Sequence, residues 1–519
     1  MAYTIFGRQY AERYDAIVIG GGIGGLFCAN FLAKEKMKVL LLERHYVLGG
    51  YCSSFRRKGF LFDAATHFYP LLGNPTTLTG KLVAELGLPT KWIKMDPVDQ
   101  FHLPSLPVFA VPAGFQEYLA KLKEWFPGEA GAIDRYFAEL RQAYLHGLLY
   151  YFKGIDNDQF HRLERLTVQG KLQEHFCDPA LRTILMADCA HWGSLPDRTS
   201  YCFDAMLRLS YFLGNYFPRG GSQQFTDDLG RALEERGGSI LKCAAAEKII
   251  VEDGKACGVR ISTVSKRAPE RFEFRAPVVV SNADAVHTYR NLLGEEHCGR
   301  WMLDHLESLK PTYPCYLMHL GLRGMDADKL REAEGYYWSS YDPEDVIRTV
   351  FKVFIPTRFD DSLAPPGCQI LIVQKLTPIR IEEKTDWAAH KAQVDEEIMA
   401  RLRELLPGID EHIVVKLSAT AQTSYKYTNN WQGAMLGWEM SPEQLGSARL
   451  PISTPVENLY LTGHWTQPGG GITPVIISAQ KVAQTIIRGK DGEPERRSDY
   501  QAFQSLVTSG RTGGEQETK

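Results

Sequence analysis

The apolar residues of this chain gather in short runs with no polar face. Tyr14 to Gly20 (YDAIVIG), Lys38 to Glu43 (KVLLLE) and Asn458 to Thr462 (NLYLT) each centre on a short apolar stretch. That pattern predicts parallel strands covered on both faces. Helices are predicted after the first run, over about Ile23 to Lys34, and after the third, over about Thr473 to Arg488. Another is expected over Ser222 to Arg236, closed by Gly237-Gly238 as a glycine cap. Ala246 to Val251 and Ala256 to Ile261 read as two strands joined around Glu252-Asp253-Gly254-Lys255, a hairpin. Residues 136–217 are dense in aromatic and aliphatic side chains, which suits either ordinary helix core or the lining of a tunnel for a long lipophilic molecule. Within them, Leu148 to Phe152 can also insert into a lipid surface.

The first run leads into a binding motif. Gly20, Gly22 and Gly25 follow it as G-x-G-x-x-G. The first glycine allows a tight turn, the second lets the backbone approach a pyrophosphate, and the third lets the helix pack on the strand. The helix N-terminus then aims its N–H groups and dipole at the phosphates, so Gly22, Ile23, Gly24 and Gly25 are the candidate contacts. Glu43 closes the second run, where a carboxylate can accept hydrogen bonds from an adenosine ribose, and Arg44 beside it is a further candidate cofactor contact. An acid there repels a 2′-phosphate, which sets NADP aside and leaves NAD or FAD.

The far end decides between them. Gly463-His464-Trp465-Thr466-Gln467-Pro468-Gly469-Gly470-Gly471 joins the third run to its helix, a second strand–glycine–helix unit. A reduced flavin carries negative charge near N1 and the C2 carbonyl, which a helix N-terminus stabilises without titrating. FAD is the expected cofactor, with Gly463, Gly471, Ile472 and Thr473 on the ring side.

Composition narrows the classes further. At 519 residues, 44% hydrophobic and 23% charged, the chain has ample material for a large core. A net charge of −3 leaves no basic field, so no nucleic-acid partner is expected. The ten cysteines show no metal-ligand spacing; reduced thiols, a cytoplasmic location and no metal site are expected. No secretory leader is visible, and no run approaches the ~20 apolar residues of a spanning helix, which leaves peripheral membrane contact open. Residues 491–519 are polar and glycine-bearing, and a flexible tail is expected there.

Several blocks carry a resemblance: GGGIGG and LLLERHYVLGGYCSSF, GFLFDAATHFY from Gly59 to Tyr69, the stretch from Phe217 to Ile261, VVVSNADAVHTYRNLLG from Val278 to Gly294, and YLTGHWTQPGGGITPVIISAQ. On these the chain resembles the phytoene desaturase, carotenoid isomerase and retinol saturase superfamily of FAD-dependent oxidoreductases, which has a flavin amine-oxidase-like fold. The resemblance implies an α/β architecture. A discontinuous Rossmann-like FAD-binding domain (1–72, 215–292 and 455–490) would join a mixed α+β substrate domain (73–214 and 293–454). It places Gly49 and Gly50 along the ribityl and pyrophosphate chain and the backbone of Ala246 at the adenine. Amine oxidases usually carry arginine after that glycine doublet. Here Tyr51 follows it, which moves weight from amine substrates toward polyenes.

The activity so implied is on carbon–carbon bonds of a long apolar isoprenoid, a carotenoid or retinoid, with desaturation first. Cis–trans isomerisation or saturation of the same substrates stays open, as does an amine-oxidase-like reaction on a soluble metabolite or a redox-inert flavin scaffold. The electron acceptor is not assigned. Flavin chemistry asks the protein mainly for orientation and dryness, yet a proton must still move. His67 and His464 are the candidate catalytic residues, because a histidine can shuttle a proton near neutral pH. Asn430 to Trp438 looks like the family's glycine-bearing stretch beside the substrate cavity.

Overall fold

The computed structural model describes residues 2–265, 268–378, 381, 385–490 and 498–509. The three uniform apolar runs become three strands of one sheet, Ala16–Ile19, Val39–Glu43 and Leu459–Leu461. Ser239–Lys242 and Val279–Ser281 complete it. Its spatial order is 239–242, 39–43, 16–19, 279–281, 459–461, with every neighbouring pair parallel.

The runs lack alternation because both faces are covered. Ala16, Val18, Val39, Leu41 and Val280 pack toward the helices Ile23–Lys34, Gly221–Glu235 and Ile472–Lys490. Ile17, Ile19, Leu40, Leu42 and Val279 pack the other way, on a three-stranded antiparallel sheet of Ala244–Glu252, Lys255–Thr263 and Arg271–Arg275. Each such fully buried aliphatic side chain contributes about 1.5–3 kcal/mol relative to exposure. Counted along the chain the order reads third, second, first, fourth, fifth, so connections diverge between the first and fourth strands. In open α/β sheets the ligand crevice lies at that point, outside the carboxyl ends.

A second, seven-stranded sheet runs 413–419, 315–323, 368–376, 351–354, 335–337, 99–102, 109–111. Its pairings are antiparallel except between 335–337 and 99–102. Helices including Phe115–Trp125, Ala130–Lys153, Pro179–Met186 and Tyr201–Phe212 pack beside its 99–111 end. Here Tyr136, Phe137, Leu140 and Ala143 are core, the plainer of the two readings of this apolar stretch. In the second half of Ala130–Lys153 and just past its end, Leu145 and Ile155 stay 48% and 49% exposed, with Leu148, Leu149 and Phe152 half-buried.

The expected tail departs from its composition. Residues 498–508 form a helix whose Tyr500 and Phe503 are buried against Trp301 and His305, with ring centroids 5.3–6.3 Å apart. Three apolar residues, Tyr500, Phe503 and Val507, suffice because their spacing puts them on one face. The rest of that expectation, residues 491–497 and 510–519, lies outside the described residues.

Candidate functional site

The glycines of the first turn are there because nothing larger fits. A Cβ on Gly25 would stand 2.0 Å from the Gly20 carbonyl oxygen, so the helix could not close on its strand. Gly20 has φ +95°, where an L side chain is strained. The helix that follows has Gly22 at its N-cap, no side-chain cap and no acid in its first turn. Its dipole end and first N–H groups, over Gly22, Ile23, Gly24 and Gly25, are thus left for an external anion.

The opposite end of the chain closes on the same turn. A Cβ on Gly24 would meet Gly463 Cα at 3.1 Å and Val475 Cγ1 at 3.1 Å. Asn282 sits between them. Its Nδ2 donates to Gly20 O at 3.4 Å, its backbone N–H donates to Ile19 O at 2.8 Å, and its Oδ1 is 2.6 Å from where a Gly463 Cβ would stand. Gly463 and Gly471 have φ +102° and +101°, and the helix after them also starts without an acid. Thr473 Oγ1 donates to Pro70 O at 3.2 Å, tying this helix end to the loop of His67.

Glu43 is 8% exposed, and its carboxylate accepts from Gly21 N–H at 2.7 Å and His45 N–H at 2.7 Å. Burial pushes its carboxyl upward, while those backbone donors and the Arg44 charge oppose the rise. Arg44 itself turns away, donating to Lys426 O at 3.2 Å. Gly49 N–H donates to Gly21 O at 2.8 Å, and a Cβ on Gly50 would face Gly22 Cα at 3.5 Å. The glycine doublet therefore lies along the first turn. Ala246 lies four residues after Lys242, which pairs with Glu43; it pairs with Ile261, and a register shift between Ala246 and Lys248 follows it.

Of the two candidate histidines, His67 is fully buried, and neither ring nitrogen has a hydrogen-bond partner among the described residues. Its neighbour Thr66 donates to Tyr51 O at 3.2 Å, and its ring lies 4.8 Å from that of Phe354. Burial, then the Lys352 charge, hold its pKa well below the usual histidine range. His464 is held otherwise. Asn430 Oδ1 accepts from Trp465 Nε1, a donor only, and lies 3.2 Å from His464 Nε2. The oxygen fixes Nε2–H as that ring's tautomer. Burial, with Arg449 nearby, lowers His464 to about 3. Burial thus favours the neutral form of both rings. The stretch from Asn430 to Trp438 runs along 463–471: a Cβ on Gly437 would meet His464 O at 2.6 Å, and one on Gly470 would meet Leu436 O at 2.3 Å.

The family model for flavin-containing amine oxidoreductases matches residues 23–487. This chain belongs to that family. Among similar proteins, the all-trans-retinol 13,14-reductase of Rattus norvegicus is 28% identical, over 87% of this chain and 82% of its own length. The chloroplastic prolycopene isomerase of Daucus carota is also 28% identical, over 92% and 81%. A crystal structure of an oxidoreductase from Methanosarcina mazei superposes with TM-score 0.64 at 17% identity, covering 90% of this chain and 99% of that one. As a member of this family the protein is an FAD-dependent oxidoreductase.

These residues fit the family's cofactor on their own geometry. One uncapped helix end, an acid at the end of the second strand, and a second acid-free helix end meet where only glycine is tolerated. The residue that joins these pieces, Asn282, was not singled out from sequence. A signal was present: it follows the apolar strand 279–281 as Gly20 follows 16–19, one step past the carboxyl end at the crevice. Asp284 was missed too; it accepts from Trp431 N–H at 2.6 Å, and burial pushes it to about 7. Glu139, Glu174 and His175 approach closely enough to share an ion, but Lys171 Nζ stands 2.8 Å from both carboxylates and supplies the positive charge. Among the described residues no helix is long and apolar enough to cross a membrane.

Proposed function

We propose that this oxidoreductase acts on carbon–carbon bonds of a long, largely apolar isoprenoid of the carotenoid or retinoid class, with desaturation as its reaction. The observation that carries the reading is the setting of His67. A neutral ring with both nitrogens unbonded is held between the Tyr51 turn and the loop that reaches Thr473, against Phe354. A conjugated chain can lie against such an uncharged ring and Phe354, and it offers no charge to be neutralised. The relatives named for retinol and prolycopene support the substrate class.

In this proposal Gly20, Gly22, Ile23, Gly24 and Gly25 hold the pyrophosphate, Glu43 the ribose, Gly49 and Gly50 the central chain, and Gly463, Gly471, Ile472 and Thr473 the ring side. Bound FAD supplies hydride acceptance or donation. In its neutral form His67 offers a lone pair to a proton that the substrate carbon gives up, and only the imidazolium so formed can return it. The electron acceptor stays open between oxygen, a quinone and another acceptor. Entry of a water-insoluble substrate is proposed at the exposed Leu145 and Ile155, dipped into a lipid surface.

Saturation is the second reading, favoured by the similarity to a retinol reductase. Anaerobic mixing of the holoenzyme with phytoene, a cis-carotene and retinol, with flavin oxidised and then reduced, separates the readings. Bleaching of oxidised flavin with a new double bond in the product supports desaturation. Reoxidation of reduced flavin with loss of a double bond supports saturation. In a separate aerobic assay, hydrogen peroxide release with an amine, together with no flavin response to any polyene, overturns both.

A further inference from the structure

Behind His67 the substrate side is not uniformly apolar. Asn215 is 1% exposed, yet neither its Oδ1 nor its Nδ2 has a hydrogen-bond partner among the described residues. Its backbone is fixed, because Asn215 O accepts from Met95 N–H at 2.9 Å. The side chain faces a small void shared with Phe68, Asp99 and Arg208. A second void shares Phe68 and Asp99 and adds Lys352 and Phe354. Each holds about one water. Phe68 is the next residue after His67, so these voids begin one residue from the proposed reaction site.

The charges around them are already paired. Lys352 is 1% exposed, with Nζ 2.7 Å from Asp99 Oδ2 and 3.6 Å above the Phe68 ring. Arg208 lies 3.2 Å from Asp188 and 2.9 Å from Asp204, and Arg358 pairs with Glu334. Three cations meet four carboxylates, so a further anion is unwelcome. An open carboxamide, by contrast, offers one donor and one acceptor, the complement of a hydroxyl group. The space is hydroxyl-sized.

We infer that Asn215 and the neighbouring Lys352–Asp99 pair form a subsite for a terminal hydroxyl on the substrate, so that the isoprenoid is an alcohol rather than a hydrocarbon. The inference rests on the polyene reading of the preceding section and names which polyenes are preferred. A buried polar group built to bond a hydroxyl is left unpaired by the analogue lacking it, which is why such sites discriminate strongly.

The test compares retinol, its methyl ether, its deoxy hydrocarbon and the corresponding carboxylic acid on the holoenzyme, wild type and Asn215→Leu. The wild type is expected to prefer the alcohol to the hydrocarbon at least about 100-fold in kcat/KM, and to handle the acid and the ether poorly. Asn215→Leu is expected to raise KM for the alcohol about 10- to 100-fold, to change kcat less than KM, and to lower KM for the hydrocarbon, which no longer leaves a buried amide unpaired. Equal losses on alcohol and hydrocarbon, or a wild-type preference for hydrocarbon or acid, overturn the subsite while sparing the polyene reading. If Asn215→Leu loses its flavin, the wild-type ranking alone decides. If no polyene turns over, the polyene reading fails, and titrating the flavin absorbance with alcohol and hydrocarbon still reads the subsite: equal dissociation constants overturn it.

Discussion

Asn282 Oδ1 lies 2.6 Å from the position a Cβ on Gly463 would take, and its Nδ2 reaches Gly20 O at 3.4 Å. One side chain thus joins the first turn of the chain to the last. Gly463→Ala puts a methyl group against that oxygen and a side chain at φ +102°. The expected backbone strain is about 1–3 kcal/mol. FAD should bind roughly tenfold or more weakly, read as the ratio of flavin to protein absorbance after gel filtration. A variant with full flavin content would show that the two ends are not coupled through Asn282.

Glu43 accepts from two backbone N–H groups, Gly21 and His45. In Glu43→Gln one of the two donors must face the amide NH2. Leaving it unsatisfied costs about 1–3 kcal/mol. Fluorescence titration of the apoprotein is expected to show FAD binding weakened by about tenfold, with a lower Tm. Unchanged binding would remove the acid from the ribose site.

His319 and Asp63 give opposite dependences on pH. His319 Nε2 donates to Asp63 O at 3.0 Å, and burial lowers the ring to about 4. The folded pKa lies below the unfolded value of ~6.5, so this stability is whole above that pH and is lost as pH falls through about 4. The Asp63 carboxyl is raised by burial to about 6. Its contribution is whole below ~3.9 and lost as pH rises through about 6. In thermal melts His319→Gln should flatten the acid limb of Tm against pH, and Asp63→Asn should remove the opposing slope. An unaltered acid limb in His319→Gln would argue that the ring is solvated.

Phe503, 3% exposed against Trp301 and His305, anchors the helix at 498–508. Phe503→Ala is expected to cost about 3–5 kcal/mol, seen as a lower midpoint in urea unfolding. A change below ~1 kcal/mol would mean that the helix is not docked in solution.

Leu145 and Ile155 are exposed and their removal leaves no cavity. The double change Leu145→Glu with Ile155→Glu should leave Tm nearly unchanged while abolishing sedimentation with lipid vesicles. Turnover of vesicle-borne substrate should fall, and that of detergent-dispersed substrate should not. Equal vesicle binding by both proteins would place the substrate entrance elsewhere.

What the chain alone made legible was everything written into contiguous residues. Runs such as AIVI at 16–19 and VLLL at 39–42 announce strands buried on both faces because no position is polar. The spacing of Gly20, Gly22 and Gly25 and the acid at Glu43 announce a dinucleotide because that geometry is local. Asn282, Asn215, Lys352 and the docked helix at 498–508 were not legible in this way. Asn215 looks like any loop asparagine until Phe68, Asp99 and Arg208 close around it. His67 looks like a titrating histidine until burial and Lys352 hold it neutral. Only tertiary structure decided these, because desolvation and pairing depend on neighbours that the fold brings from hundreds of residues away.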